Sequence, residues 1–136
     1  MTAALNDNAA APQNGGIGKT VLVSEPAKKR VVAGIRCVGG TMNGAVIRIE
    51  REVRIGRDPK RCSIVYPEKE RGISGLHCAV APTADGVLTL TDLGSSYGTT
   101  VNGRKLSANV PCVLHAGDRF ALADGNNCFE VFTEEI

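Results

Sequence analysis

Short runs in which apolar and polar residues alternate extend from residue 31 almost to the C-terminus. In the first run, Val31, Ala33, Ile35 and Cys37 share one side of the chain. The same period recurs at Ile47-Ile49, Val53-Ile55, Cys62-Ile64, Leu76-Cys78-Val80, Leu88-Leu90, Phe120-Leu122 and Phe129-Val131. Because successive side chains of an extended chain point to opposite faces, each run predicts one half-buried β-strand.

Pairs of turn-forming residues separate these runs. They are Gly39-Gly40, Asn43-Gly44, Asp85-Gly86, Asn102-Gly103 and Asp124-Gly125. Asn-Gly and Asp-Gly favour tight hairpin turns because both residues tolerate a positive φ. No segment carries the apolar stripe and the end caps of a helix. We therefore expect an all-β fold, an antiparallel β-sandwich.

The N-terminal segment has a different composition. Residues 2–18 are rich in Ala, Asn and Gly and show no period that would bury one face. The cluster Lys28-Lys29-Arg30 closes this segment and is interpreted as a solvated boundary. We predict a disordered tail over residues 1–30 and one folded domain over residues 31–136, a size at which a single core needs no metal or disulfide.

Charge and cysteine content narrow the classes of function. With 16 Lys and Arg against 14 Asp and Glu, the net charge of +2 is too small for the basic face of a nucleic-acid-binding domain. The five cysteines form no C-x-x-C pair, and several lie in strand-like runs as small apolar thiols, which indicates a reducing compartment. No apolar run is long enough to span a membrane, and no signal peptide is recognisable. We expect a cytoplasmic protein without a metal or cofactor that binds neither nucleic acid nor membrane.

Three predicted loops carry candidate chemistry. The first is Gly56-Arg57-Asp58, the second is residues 73–77 (Ile-Ser-Gly-Leu-His), and the third is residues 92–99 (Asp-Leu-Gly-Ser-Ser-Tyr-Gly-Thr), which leads to Val101-Asn102-Gly103. A phosphorylated side chain carries about −1.5 to −2 charges and three acceptor oxygens. An Arg guanidinium binds two such oxygens at once, and Ser hydroxyls and free backbone N–H groups of Gly-containing loops add donors. Together the loops are typical of a phosphate-binding site.

In this order and spacing the loops resemble the forkhead-associated (FHA) domain, whose pattern is G-R, then S-x-x-H, then a D-x-x-S-x-N-G-T-like loop before V-N-G. Leu114, Gly117-Asp118 and Phe129-x-Val131 match the closing strands of that family, so the resemblance covers roughly residues 31–134. It implies an FHA-like β-sandwich of about eleven short strands. It also implies binding of phosphothreonine-containing proteins or peptides, with no catalytic residue.

The resemblance assigns roles to single residues. The implied phosphopeptide-binding residues are Arg57, Ser74, Gly75, Ser96 and Tyr97. Ser96 stands where the family usually has Thr and still offers a hydroxyl. The implied supports of these loops are Gly56, His77, Gly98, Thr99 and Asn102. Gly56 would let the backbone turn so that Arg57 faces the ligand, and His77 would tie the loops together rather than act as a catalyst.

Two positions depart from the family pattern. Tyr97 replaces the Asn that usually bonds the peptide backbone, and a phenol cannot form the paired contacts of an amide. Gly75 stands where many members place Arg, Lys or Asn as a second phosphate contact. The favoured hypothesis is an adaptor or regulator in a Ser/Thr kinase pathway, whose partner is a phosphothreonine-containing kinase or kinase substrate. The two departures keep open an alternative, an FHA-like sandwich that binds its partner without phosphate recognition.

The N-terminal segment motivates two further interpretations. Residues 15–20 (Gly-Gly-Ile-Gly-Lys-Thr) look like the phosphate loop of ATPases, but that loop needs a strand before it, a helix after it and a glycine where Gln13 stands. A nucleotide-binding enzyme is therefore the weaker reading. Thr20 is a candidate regulatory phosphosite, since a phosphorylated tail would fold back onto Arg57 at high effective concentration.

Overall fold

The computed structural model describes residues 30–136. The predicted tail up to residue 29, with the Gly-Lys-Thr segment and Thr20, lies outside the described residues. Eleven strands follow one another: β1 (Val31–Gly39), β2 (Val46–Arg48), β3 (Val53–Gly56), β4 (Ile64–Val65), β5 (Cys78–Ala84), β6 (Val87–Asp92), β7 (Thr99–Val101), β8 (Arg104–Lys105), β9 (Cys112–Leu114), β10 (Arg119–Leu122) and β11 (Asn127–Glu135).

The strands form two sheets that share one apolar core. The six-stranded sheet has the order β2-β1-β11-β10-β7-β8, and the five-stranded sheet has the order β4-β3-β5-β6-β9. Neighbouring strands run antiparallel except β3 and β4, where Ile55 and Ile64 are parallel partners. The predicted all-β sandwich is confirmed. No helix that could cross a membrane occurs within residues 30–136.

The apolar positions of the alternating runs fill the space between the sheets. Ile35 of β1, Ile55 of β3 and Leu90 of β6 are completely buried. Phe120 of β10 and Phe129 of β11 stack with ring centroids 5.0 Å apart at an interplanar angle of 16°. Aromatic pairs of this kind add to the burial of apolar area, so this stack stabilises the centre of the six-stranded sheet.

Strand β1 is covered on both faces, which the alternation alone does not predict. On its outer face a methyl group at Gly34 would lie 2.5 Å from Cζ of Phe132, so the ring packs directly on the backbone. Arg36, on the same face, lies with its guanidinium carbon 4.8 Å from the centre of that ring. Val32, also on this face, is only 5% exposed. A small outer layer therefore holds β1 in place.

The Asn102-Gly103 pair forms the turn between β7 and β8. Both residues have positive φ, 49° and 85°, as a type I′ hairpin turn requires. The Asn102 side chain accepts from the Arg119 N–H at 3.0 Å and donates to Asp118 at 3.1 Å. These bonds hold the β7–β8 turn against the start of β10.

Loops leave the sandwich at the end where β3 and β6 stop. They are residues 57–63 after β3, residues 66–77 between β4 and β5, and residues 93–98 between β6 and β7. The turn between β10 and β11 joins them, because Ala123 donates its N–H to the Gly98 carbonyl at 2.9 Å. This end of the sandwich holds the residues that the sequence singles out.

Candidate functional site

Arg57 lies directly after β3 and is anchored by three carbonyl groups. Its backbone N–H donates to the Ser74 carbonyl at 3.1 Å. In the side chain, Nε donates to the Ile73 carbonyl, and Nη1 donates to the Glu68 carbonyl at 3.1 Å. These side-chain bonds use two of the five N–H groups of the guanidinium. The carbonyls orient the cation without cancelling its charge, and Nη2, which has no hydrogen bond within residues 30–136, can meet an anion.

Ser74 and Ser96 connect the second loop to the third. The Ser74 hydroxyl oxygen accepts the backbone N–H of Ser96 at 3.0 Å. A hydroxyl that accepts through one lone pair still has its own hydrogen to donate. The O–H of Ser74 can therefore point to a ligand beside Arg57, while the exposed hydroxyl of Ser96 is not used in this link.

His77 is completely buried and bonds both loops. Its Nδ1 accepts the N–H of Ser74 at 3.0 Å, and its Nε2 lies 2.9 Å from the Gly98 carbonyl. One ring nitrogen accepts and the other donates, so the ring is neutral with its hydrogen on Nε2. Burial lowers the pKa of His77, and the Gly98 carbonyl and Asp92 oppose that shift only in part. His77 therefore has a structural role: it links the second loop to the third.

Asp92, at the end of β6, organises the third loop. One carboxylate oxygen accepts the N–H groups of Gly94 and Ser95, at 3.1 and 3.2 Å. The other accepts the hydroxyls of Ser95 and Thr99, at 2.5 and 2.7 Å. Burial raises the pKa of Asp92, but the bonds from Ser95, Thr99 and Gly94 outweigh it and leave the pKa below its ordinary value. A buried carboxylate with four donors fixes the loop that presents Ser96.

Glycines allow the first and second loops to touch. A methyl group at Gly56 would lie 2.2 Å from the Gly75 carbonyl oxygen and 2.9 Å from Sγ of Cys62. Gly56 does not have a left-handed φ, so the close approach, and not a special turn, requires glycine here. Gly98 does have a positive φ of 89°, and a methyl group there would lie 2.5 Å from Cε of Lys105. The close approach at Gly56 brings Arg57 next to Ser74.

The segment that bonds Arg57 is itself held to the six-stranded sheet. Glu70 accepts from the Thr41 hydroxyl at 2.5 Å and from Asn127 at 3.4 Å, and Asn127 also accepts the N–H of Thr41 at 3.1 Å. Because Glu68 precedes this anchor by two residues, its carbonyl has a defined position for Nη1 of Arg57.

Two open depressions lie on this end of the sandwich. The first, of about 560 Å³, is lined by Arg57, Glu68, Lys69 and Arg71. The second, of about 360 Å³, is lined by Arg71, Gly72, Tyr97, Ala123 and Asp124. Arg71 borders both, and Tyr97 is 64% exposed. The site thus joins a charged depression to one that offers an aromatic surface.

The structure brings together all the residues that the resemblance implied for the ligand. Arg57, Ser74 and Ser96 are joined by direct hydrogen bonds, Gly75 follows Ser74, and Tyr97 follows Ser96. Two of the implied supporting residues bond carboxylates instead: Thr99 donates to Asp92, and Asn102 donates to Asp118. Sequence reasoning did not assign Asp92 a role, although its position at the start of the quoted loop was the available signal.

A model of the FHA domain family matches residues 53–123. The chain is 32% identical over 78 residues to the protein phosphatase 1 regulatory inhibitor subunit PPP1R8 homolog of Arabidopsis thaliana. That match covers 57% of this chain and 21% of the plant protein, so the chain spans about a fifth of that relative's length.

Solved structures of FHA domains have the same fold. The FHA domain of the CT664 protein from Chlamydia trachomatis superimposes with a TM-score of 0.63 at 25% identity, over 74% of this chain and 96% of that one. The N-terminal FHA domain of S. cerevisiae Rad53p, in complex with a phosphothreonine peptide, gives a TM-score of 0.62 at 21% identity, over 76% and 94% of the two chains. Since the family model spans more than half of the sequence and the folds agree, the chain belongs to the FHA domain family.

Proposed function

We propose that this chain is a phosphothreonine-dependent protein interaction module that serves a Ser/Thr kinase pathway in the cytoplasm as an adaptor or regulator, without catalysis of its own. Its partner is a protein with a phosphorylated threonine, either a kinase or a kinase substrate. The phosphate is bound by Arg57 and Ser74, and Ser96, Gly75 and Tyr97 contact the peptide around it.

The observation that carries this proposal is the hydrogen-bonded state of Arg57. Its guanidinium is held by the uncharged carbonyls of Ile73 and Glu68, which leave its positive charge uncancelled, and its backbone N–H bonds the carbonyl of Ser74. Charge-assisted hydrogen bonds of this kind are worth about 1.5–3 kcal/mol each. Two of them would separate a phosphorylated partner from the same partner without phosphate.

Family membership supports the same ligand. FHA domains are interaction modules that recognise phosphothreonine, and the Rad53p domain with this fold holds a phosphothreonine peptide. The regulatory subunit from Arabidopsis thaliana matches over only part of its length, so its phosphatase is not carried over as a partner of this chain.

The two depressions support a proposed path for the peptide. The phosphate would lie at Arg57, which lines the first depression, and the following residues would cross Arg71, which borders both depressions, toward Tyr97. The exposed ring of Tyr97 offers a flat apolar contact of the kind that is common in binding surfaces.

A degenerate peptide library tests the proposal. Three matched libraries, with phosphothreonine, phosphoserine or threonine at the fixed position, are passed over the immobilised 136-residue chain, its Arg57→Ala variant and an Arg54→Ala control. Arg54 is a half-exposed arginine on the preceding strand, near Glu52. We expect the unmodified chain and Arg54→Ala to retain the phosphothreonine library, and Arg57→Ala to release it. Equal retention of the threonine library would favour the alternative, a sandwich that binds without phosphate.

A further inference from the structure

Arg61, in the loop after β3, lies over the residue that follows Ser74. A methyl group at Gly75 would be 3.1 Å from Nη2 of Arg61 and 3.8 Å from Cβ of Asp58. The guanidinium thus stands in the space that a side chain at Gly75 would enter, although it comes from a different loop.

Asp58 holds Arg61 in this place. Its carboxylate accepts from Nε of Arg61 at 2.7 Å and from the N–H of Lys60 at 2.9 Å. The backbone N–H of Asp58 donates to the Gly75 carbonyl at 3.0 Å, and the Arg61 N–H donates to the Asp58 carbonyl at 3.1 Å. The bond from Lys60 and the Arg61 guanidinium keep the pKa of Asp58 below its ordinary value, so the pair is charged.

The backbone pairing places Arg61 beside the phosphate-binding residues. Arg57 bonds Ser74, and Asp58 bonds Gly75, so residues 57–58 run alongside residues 74–75. Arg57 and the Ser74 hydroxyl belong to the first of these pairs, and Arg61 covers the second. An anion at Ser74 would therefore lie within reach of cations from two sides.

The outer edge of Arg61 is available to an anion. Asp58 bonds Nε, neither Nη group has a hydrogen bond within residues 30–136, and the side chain is 54% exposed. The anchor removes some of the rotamer freedom that a long side chain would otherwise lose when it binds a ligand.

We propose that Arg61 is a second phosphate-binding cation of this domain and takes the place of a side chain at Gly75. This inference rests on the proposed function, because it concerns the same phosphate. It also accounts for a glycine at this position, since any side chain there would compete with the guanidinium for space.

The test compares affinities for the tightest peptide from the phosphothreonine library, measured by calorimetry on the 136-residue chain. We expect Arg61→Ala to weaken binding about tenfold. Lys60→Ala, which removes a neighbouring exposed charge from the same loop, is the matched control and should change affinity by less than about twofold. The thermal midpoint of each variant reports whether the fold is intact.

A cation moved to position 75 provides the second arm of the test. Gly75 is not in a left-handed conformation, and once Arg61 is removed no described atom other than Cβ of Asp58 lies within 4 Å of the new methyl group. We expect Gly75→Arg to restore most of the affinity in the Arg61→Ala background. In the unmodified chain it should give little gain, because the two side chains compete for one space. Such non-additivity is the mark of residues that share a site.

The outcomes separate the two proposals. If the chain discriminates phosphorylated from unphosphorylated peptide and needs Arg57, but Arg61→Ala behaves like Lys60→Ala, only the inference about Arg61 is overturned. It is also overturned if Gly75→Arg fails to restore affinity in a folded Arg61→Ala variant. If the unmodified chain does not discriminate the phosphate at all, the proposed function falls, and the role of Arg61 falls with it.

Discussion

Nδ1 of His77 accepts a hydrogen bond of 3.0 Å from the backbone N–H of Ser74. This bond exists only when Nδ1 carries no hydrogen, so the position of Ser74, the proposed phosphate ligand, is coupled to the protonation of a buried ring. In a positively charged His77, the hydrogen on Nδ1 would clash with the N–H hydrogen of Ser74. The charge would also lie in the core without solvation.

The stability of the domain should therefore fall in mild acid. The pKa of His77 is lowered in the folded state, mainly by burial, from the ordinary value of 6.5. The unfolded chain then binds more protons, so the free energy of unfolding is fully present above pH 6.5 and decreases as the pH falls below it toward the folded-state pKa. Denaturant unfolding at a series of pH values measures this slope.

The matched control for this measurement is the second histidine. His115 is exposed, so His115→Gln should keep the pH dependence, whereas His77→Gln should lose it in this range. A slope that survives in a folded His77→Gln variant would contradict the assignment.

Asp92 should be a main source of stability for the third loop. In Asp92→Asn an amide N–H₂ would face donors from Ser95 and Thr99, and we expect the free energy of unfolding to fall by about 1.5–3 kcal/mol. Asp85→Asn in the exposed β5–β6 turn is the control, because Asn-Gly is as good a turn as Asp-Gly. Chemical denaturation compares the two, and equal stability would show that the four bonds to Asp92 are replaceable.

Ser74 and Ser96 should differ in their importance for binding. Ser74→Ala removes both a phosphate donor and the acceptor for the Ser96 N–H, so we expect phosphopeptide affinity to fall by about 1.5–3 kcal/mol. Ser96→Ala keeps the backbone N–H that makes this link, and its effect should be smaller. Fluorescence anisotropy with a labelled phosphothreonine peptide measures both, and a larger loss in Ser96→Ala would reverse the assigned roles.

Tyr97 should contribute to phosphopeptide binding through the exposed surface of its ring. We expect Tyr97→Ala to weaken phosphopeptide binding by about 0.5–1.5 kcal/mol, the range for an aromatic contact. Stability should change by less than about 0.5 kcal/mol, because the ring is exposed. Val113→Ala removes another exposed apolar side chain from β9, away from the loops, and should leave affinity unchanged. If both variants bind like the unmodified chain, the peptide does not reach Tyr97.

Local sequence signals were sufficient to predict the sandwich and to single out the loops that the structure brings together at one end of it. The alternation that ends in Phe120-Leu122 and Phe129-Val131 depends only on which face is buried, and the Asn102-Gly103 turn depends only on the φ values that Asn and Gly accept. Arg57 and Ser74 were predicted as ligand-binding residues because an anion site needs particular side chains, and the structure places them next to each other.

Features that depend on contacts between distant segments were not predictable in this way. The covered outer face of β1 comes from Phe132, which lies about a hundred residues away in sequence. The sequence predicts that a backbone turn requires Gly56, but it is the Gly75 carbonyl that excludes a side chain there. The position of Arg61 depends on the same pairing of two loops, and no local pattern around residue 61 indicates it. Such features depend on how segments that are distant in sequence are aligned with each other in the fold.

The most direct test of the account is the energetic coupling between the phosphate and Arg57. Calorimetry gives four affinities, for one peptide with and without its phosphate, each with the unmodified chain and with Arg57→Ala. We predict that removal of the phosphate weakens binding strongly in the unmodified chain and much less in Arg57→Ala, with a coupling of about 1.5–3 kcal/mol. A coupling near zero in a folded variant would contradict the account, because the phosphate would then not be recognised through Arg57.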